Sequence, residues 1–250
     1  MHMSDSLLSP AIGAAMCAVS LATNVYAVKK IKEDGFCADK IPLIGATGAF
    51  VFAAQMLNFT IPATGSSGHI IGGILLAAII GCFPALLAIS AVLAVQCLFF
   101  ADGGLLALGC NIFNMGVIPC LFVYPLVFKP LVKNGMTFKN ITLASIASAV
   151  ASLQIGAFCV VLETQLSGIT ALPFSTFLSL MQPIHFAIGI AEGIITATIL
   201  CFVYVYSRRP VIAFATLAIF AGCFLSPLAS TYPDGLEWSI EKTMEKTSIN

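Results

Sequence analysis

The chain opens Met1-His2-Met3, and a second histidine, His69, closes the stretch Ser66-Ser67-Gly68-His69. A chain that starts Met-His offers an α-amine, the amide nitrogen of His2 and the His2 imidazole. These three nitrogens close on one ion as a five- and a six-membered chelate ring in one plane, with one in-plane position left open. A second imidazole, such as that of His69, would fill it. Four nitrogens in a plane suit Ni(II) or Cu(II), whereas Zn(II) prefers a tetrahedron. Co(II) fits too, although it displaces an amide proton less readily. The chelate requires Met1 to be retained, which a bulky second residue favours, and its amine to be free of formyl or acetyl. The thioethers of Met1 and Met3 would suit Cu(I) instead, so copper is the alternative ion. Each histidine also has a plain reading, His2 as part of a loose terminus and His69 as an interfacial residue at a helix start.

The elements that carry these residues are built for lipid. Of 250 residues 59% are hydrophobic and 9% charged, and the mean hydropathy is +1.03; soluble domains carry about 25% charged residues. A net charge of zero argues against a nucleic-acid partner. The start has no basic n-region, so it does not read as a signal peptide. None of the nine cysteines forms a C-x-x-C pair, and most lie in apolar runs as small hydrophobes. Apolar runs predict membrane helices at 8–28, 41–61, 70–82, 85–101, 105–128, 140–162, 183–206 and 211–228, with a surface helix at 172–181. Basic loops stay cytoplasmic. Lys29, Lys30, Lys32 and Lys40, then Lys129, Lys133 and Lys139, then Arg208 and Arg209, fall on one side only if 70–101 is split in two near Pro84. That count puts the N-terminus, the loop ending at His69, Ala101–Gly104 and the C-terminal tail together outside a cell membrane.

Polar residues inside spans are costly and tend to be functional. Gln55 and Asn58 share a helix face, as do Asn111 and Asn114. They are candidates to hold the terminal loop and the imidazoles from behind, or to join helices. Gln96 and Glu192 read mainly as interhelical joints, and His185 shares a helix face with Glu192. Small residues recur every four positions at Ala14, Ala18 and Ala22, and at Gly45, Ala49 and Ala53. Such stripes read mainly as internal packing, with the second a candidate docking face for another membrane subunit. H-E-x-x-H, G-x-S-x-G and Walker A motifs are absent, so no catalytic constellation and no ATP-hydrolysing part is expected in this chain.

The stretches "MHMSDSLLSP", "AQMLNFTIPATGSSGHIIGG", "VQCLFFADGGLLALGCNIFNMG" and "PIHFAIGIAEGIIT" resemble the CbiM/NikM family, the substrate-capture (S) component of cobalt and nickel energy-coupling-factor transporters, with most likeness to its cobalt members. The resemblance covers residues 1–209. It implies an all-α membrane bundle of seven helices, the first placing the terminus inside. It implies a Co2+ or Ni2+ ion held by the Met1 amine, the His2 amide and imidazole, and His69, with no other cofactor. It also implies partners: a transmembrane coupling (T) protein, ATPase subunits and a small accessory membrane protein. The start departs from the family's usual M-H-I-P-D-G, since Met3-Ser4-Asp5-Ser6 stands there. The chain also runs on into an eighth helix at 210–228 and a tail at 229–250 whose "YPDGLEW" resembles a segment of fused or accessory parts of these systems. The expected function is ATP-driven import of the ion, the alternative a passive metal channel or structural membrane subunit.

Overall fold

The computed structural model describes residues 1–35, 37–206 and 210–249, so the predicted basic pair at 208–209 lies outside the described residues. It is mostly helical. After a short turn at Asp5–Leu7, Ser9 caps helix α1, Pro10–Glu33, and Pro10 stands at its first position, where the missing N–H costs nothing. There follow α2, Ile41–Gln55; strands β1, Phe59–Ile61, and β2, Ser66–Gly68; α3, Gly73–Ile80; and α4, Cys82–Phe100. Then come α5, Leu108–Val132; α6, Phe138–Ser167; α7, Phe174–Cys201; α8, Pro210–Phe220; and α9, Gly235–Ile249. The helices α1, α4, α5, α6 and α7 are long and apolar enough to cross a bilayer, which makes the chain a multi-pass membrane protein. The segments expected to span at 41–61, 70–82 and 211–228 contain the shorter helices α2, α3 and α8.

Two expected boundaries move and one helix winds irregularly, each for a local reason. The second span stops at Gln55, because Phe59–Ile61 pairs antiparallel with Ser66–Gly68 across a hairpin that contains Pro62. The break at 182–183 is absent: α7 runs through Pro183, and Gln182 and Gln154 of α6 exchange side-chain-to-carbonyl bonds of 3.2 and 2.9 Å beside it. In α5 the backbone winds wide over Phe113–Phe128, where Pro119 and Pro125 each withhold a donor from the α pattern.

The split at 70–101 falls at Gly81. Lys40, Gly81 and Lys129 border one groove, while His69 and Asp102 both meet His2 at the other end. Helices α3 and α4 therefore run antiparallel from a turn at the basic end. Eight residues of α3 rise only about 12 Å. The non-helical stretch from His69 to Gly72, buried throughout, supplies further depth.

Neither small-residue stripe is internal, which corrects that expectation. Ala14, Ala18 and Ala22 face outward; the buried face of α1 is the heptad Gly13, Ser20 and Ala27. Gly109 of α5 touches the Cys17 backbone, and the Ser20 hydroxyl donates to the Gly109 carbonyl at 2.6 Å. On α2, Gly45 and Ala49 are exposed, Gly45 has open space around it, and Ala53 is partly buried. Gly45 and Ala49 line an apolar groove with Ala88 and Ala91 of α4, and Ala53 is not part of its lining.

Candidate metal centre

The terminus is drawn into the bundle because its side chains are apolar and its backbone is bonded. Met1 and Met3 are 4% and 0% exposed. The Met1 side chain lies against Gly156 of α6, where an added Cβ would stand 2.7 Å from Met1 Cε and displace it. Asn111 of α5 reads the backbone of Met3 from both sides: its Oδ1 accepts from Met3 N–H at 2.8 Å and its Nδ2 donates to the Met3 carbonyl at 3.2 Å. Gly104 N–H donates to the same carbonyl at 2.9 Å, and Asp5 accepts from Ala107 N–H at 3.0 Å. Gly103 (φ +85°) has no room for a side chain, since one would strike Asn111 Nδ2.

His69 is brought to the same point by β2. Gln55 donates to the Ile71 carbonyl at 2.7 Å, and the Glu192 carboxyl of α7 accepts from Gly72 N–H at 3.1 Å. These bonds hold irregular backbone inside a bundle where water cannot serve it. His69 Nδ1 lies 3.2 Å from the Ile70 carbonyl. A carbonyl only accepts, so Nδ1 carries the proton and the Nε2 lone pair is free. That Nε2 stands 3.0 Å from the Met1 amine. The His2 and His69 rings stack with centroids 5.0 Å apart. Burial, helped by the positive amine, pushes both imidazoles down to about 3, so both are neutral and able to ligate at ordinary pH.

Four further observations complete the geometry. His2 Nδ1, the atom a six-membered chelate would use, lies 3.4 Å from Asp102 Oδ1; closing that ring requires the imidazole to leave Asp102. His185 of α7 donates Nδ1–H to the Met181 carbonyl at 2.8 Å, which leaves its buried Nε2 unpartnered beside the cavity under Met1 and His69. Asp234 Oδ2 sits 2.6 Å from the Met1 amine. Burial alone would raise the Asp234 carboxyl, but the adjacent ammonium holds it well below the usual range. Among the described residues no three His, Cys, Asp or Glu side chains group as ligands; the converging donors include the chain's own terminus.

The sequence candidates thus divide. Met1, His2 and His69 meet. Asn111 grips the terminal loop and Gln55 the His69 loop. Asn114 stands one step away, donating to Glu163 at 2.8 Å and reaching Met3 Sδ at 4.0 Å. Asn58 joins only through its carbonyl, which accepts from Ser230 N–H. Asp102 and Asp234 were not singled out from sequence, and His185 was noted there only as a polar residue within a span. A signal for Asp234 exists: Asp234-x-x-Glu237 has the spacing of a helix capping box.

The chain's own amine and two neutral imidazoles thus converge at one end of a helical membrane bundle. The family described as the cobalt uptake substrate-specific transmembrane region, CbiM, matches residues 2–212, and the PDGLE domain matches residues 208–250. The chain belongs to the CbiM family. A protein named for metal transport in Haloquadratum walsbyi is 32% identical over 216 residues, 86% of this chain and 94% of that one. The cobalt transport protein CbiM of Acetoanaerobium sticklandii is 28% identical over 217 residues, 84% of this chain and 86% of that one. The crystal structure of a truncated transition metal transporter matches with a TM-score of 0.70 at 28% identity, over 81% of this chain and 98% of that one.

Proposed function

We propose that the protein is the substrate-binding membrane component of an ATP-driven energy-coupling-factor importer of divalent cobalt or nickel. The cargo ion is held by the Met1 amine, the His2 amide and imidazole, and His69. The observation that carries this reading is the 3.0 Å approach of the Met1 amine to a His69 Nε2 whose lone pair faces it. A chelating amine and amidate beside neutral imidazoles favour a late first-row ion in a planar field. Loading is charge-neutral: a divalent ion enters as one proton leaves the ammonium and one leaves the His2 amide. The pocket therefore takes up the ion without accumulating buried charge.

In this reading the core at 1–209 carries the site, the helix within 210–228 is an addition, and the tail at 229–250 lies with the N-terminus outside the cell membrane. Separate ATPase subunits drive release inward through a transmembrane coupling protein, with a small accessory membrane protein completing the complex. The open face at Gly45, Ala49 and Ala53 is the candidate surface for the coupling protein.

The test is metal analysis of the purified protein with and without one Met added before Met1. The extension moves the amine and removes the chelate while every side chain stays. Loss of cobalt or nickel is expected; equal stoichiometry in both proteins refutes the site. Uptake into proteoliposomes that persists without the ATPase partners would instead favour a channel.

A further inference from the structure

Resting on that reading, we infer that Asp234 is a positioning residue of the metal centre. It is the fixed counter-charge of the Met1 amine, delivered by the C-terminal segment as a strap over the ion's pocket. Three sets of contacts carry this. First, the strap is bonded to the His69 loop along its length. Ser230 N–H donates to the Asn58 carbonyl at 2.8 Å, Ser67 Oγ–H to the Tyr232 carbonyl at 2.7 Å, and Ser67 N–H to the Pro233 carbonyl at 2.8 Å. Second, the Asp234 carboxylate is fixed at both oxygens. Oδ1 accepts from Leu236 and Glu237 N–H at 2.8 and 2.9 Å, capping α9, and Glu237 returns the bond to Asp234 N–H at 3.3 Å. Oδ2 is left for the amine. Third, Gly235 passes close against Ile188 and His185, where an added Cβ would stand 2.7 Å from Ile188 Cδ1 and 3.1 Å from His185 Cε1. Leu236 is 2% exposed, so the segment seats like a core element.

Each residue of Pro233-Asp234-Gly235-Leu236-Glu237 thus has a task whose common result is one carboxylate at the amine. The charge balance says what that carboxylate does. With the ion absent it neutralises the ammonium. With the ion present, a divalent cation and one amidate leave a net single positive charge in a buried pocket, and Asp234 neutralises that as well. Without it the loaded state would hold a buried positive charge with one counter-charge fewer. The carboxylate therefore supports the loaded state.

Asn caps a helix as well as Asp does, but carries no charge. The experiment measures Ni(II) affinity by competition in the purified full-length chain for the native protein, Asp234→Asn, Asp234→Ala and Asp234→Glu, with hydrogen exchange over 229–249 as the structural control. Asp234→Asn is expected to keep α9 protected and to weaken Ni(II) roughly 10- to 100-fold, the usual effect of removing a group that supports a ligand from behind. Asp234→Glu, which keeps the charge on a longer arm, is expected to retain more affinity than Asp234→Asn. Native affinity in Asp234→Asn with loss only in Asp234→Ala would reduce Asp234 to a helix cap and overturn the inference. So would Asp234→Glu binding more weakly than Asp234→Asn, which also decides the matter if the Asn variant folds poorly. Should Asp234→Asn bind normally while the Met extension abolishes binding, the inference fails and the four-nitrogen site stands. Should the extension leave binding intact, the site itself fails.

Discussion

Replacing Asn111 by Ala isolates what docking the terminus contributes to holding the ion. The side chain is 2% exposed and bonds both polar groups of Met3. Its loss leaves the buried Met3 N–H without an acceptor, which costs about 1–3 kcal/mol, and removes a second bond that contributes about 1 kcal/mol. The Met3 carbonyl keeps Gly104 N–H at 2.9 Å, so nothing further is stranded. The sum, about 2–4 kcal/mol, shifts docking of the terminal loop by roughly 30- to 700-fold. Apparent affinity falls by the fraction of molecules left undocked, so Ni(II) binding is expected to weaken at least about ten-fold. Competition titration with a metal-sensitive chelator reads the affinity, and hydrogen exchange over residues 1–9 reads the docking. Asn58→Ala is the control. Its side chain makes no hydrogen bond among the described residues, so it should stay within about 0.5 kcal/mol of native. Native Ni(II) affinity in Asn111→Ala, with residues 1–9 still protected, would refute the reasoning.

Acid should undock the terminus. His2 and His69 titrate near 3 when buried and near 6.5 when released, so their stabilisation is complete above pH 6.5 and is lost as pH falls toward 3. Two such groups give a slope of up to about 2.7 kcal/mol per pH unit, seen as rising exchange over residues 1–9 and ion release between pH 6.5 and 5. Gly109→Ala sets a methyl on the Cys17 backbone and should cost about 1–3 kcal/mol by pushing α1 away; Gly48→Ala, with open space around it, should be neutral or stabilising, and melting in detergent separates the two. Gln55→Ala strips the Ile71 carbonyl of its donor and should weaken Ni(II) about 10-fold through the His69 loop, measured by the same competition assay.

The long apolar helices α1, α4, α5, α6 and α7 were legible from run length, because lipid demands about 20 apolar residues and little else satisfies that demand. Their ends were less so. Pro183 looks like a boundary in a sequence, but neighbouring polar side chains serve the backbone it disturbs, and α7 passes through. The outward stripe of α1 shows a different limit: four-residue spacing marks a face without saying which way it points, and the packed face was the heptad Gly13, Ser20 and Ala27. The meeting of His2 and His69 could be anticipated by counting lysines, since charge decides which loops share a side. Asp234 could not be, because its partner is 233 residues away and a capping box announces a helix start without naming a second acceptor.

The ion pair between Met1 and Asp234 ties the start of the chain to its end, and this orders events in time. Met1 leaves the ribosome first and its partner 233 residues later, an interval of roughly 10–50 s at about 5–20 residues per second. Throughout that interval the amine stands uncovered, open to acylating and trimming enzymes and to any passing cation. Folding of the last segment brings Asp234 to the amine and ends that exposure. The segment that completes the pocket is thus also the one that shields the amine's chemical state.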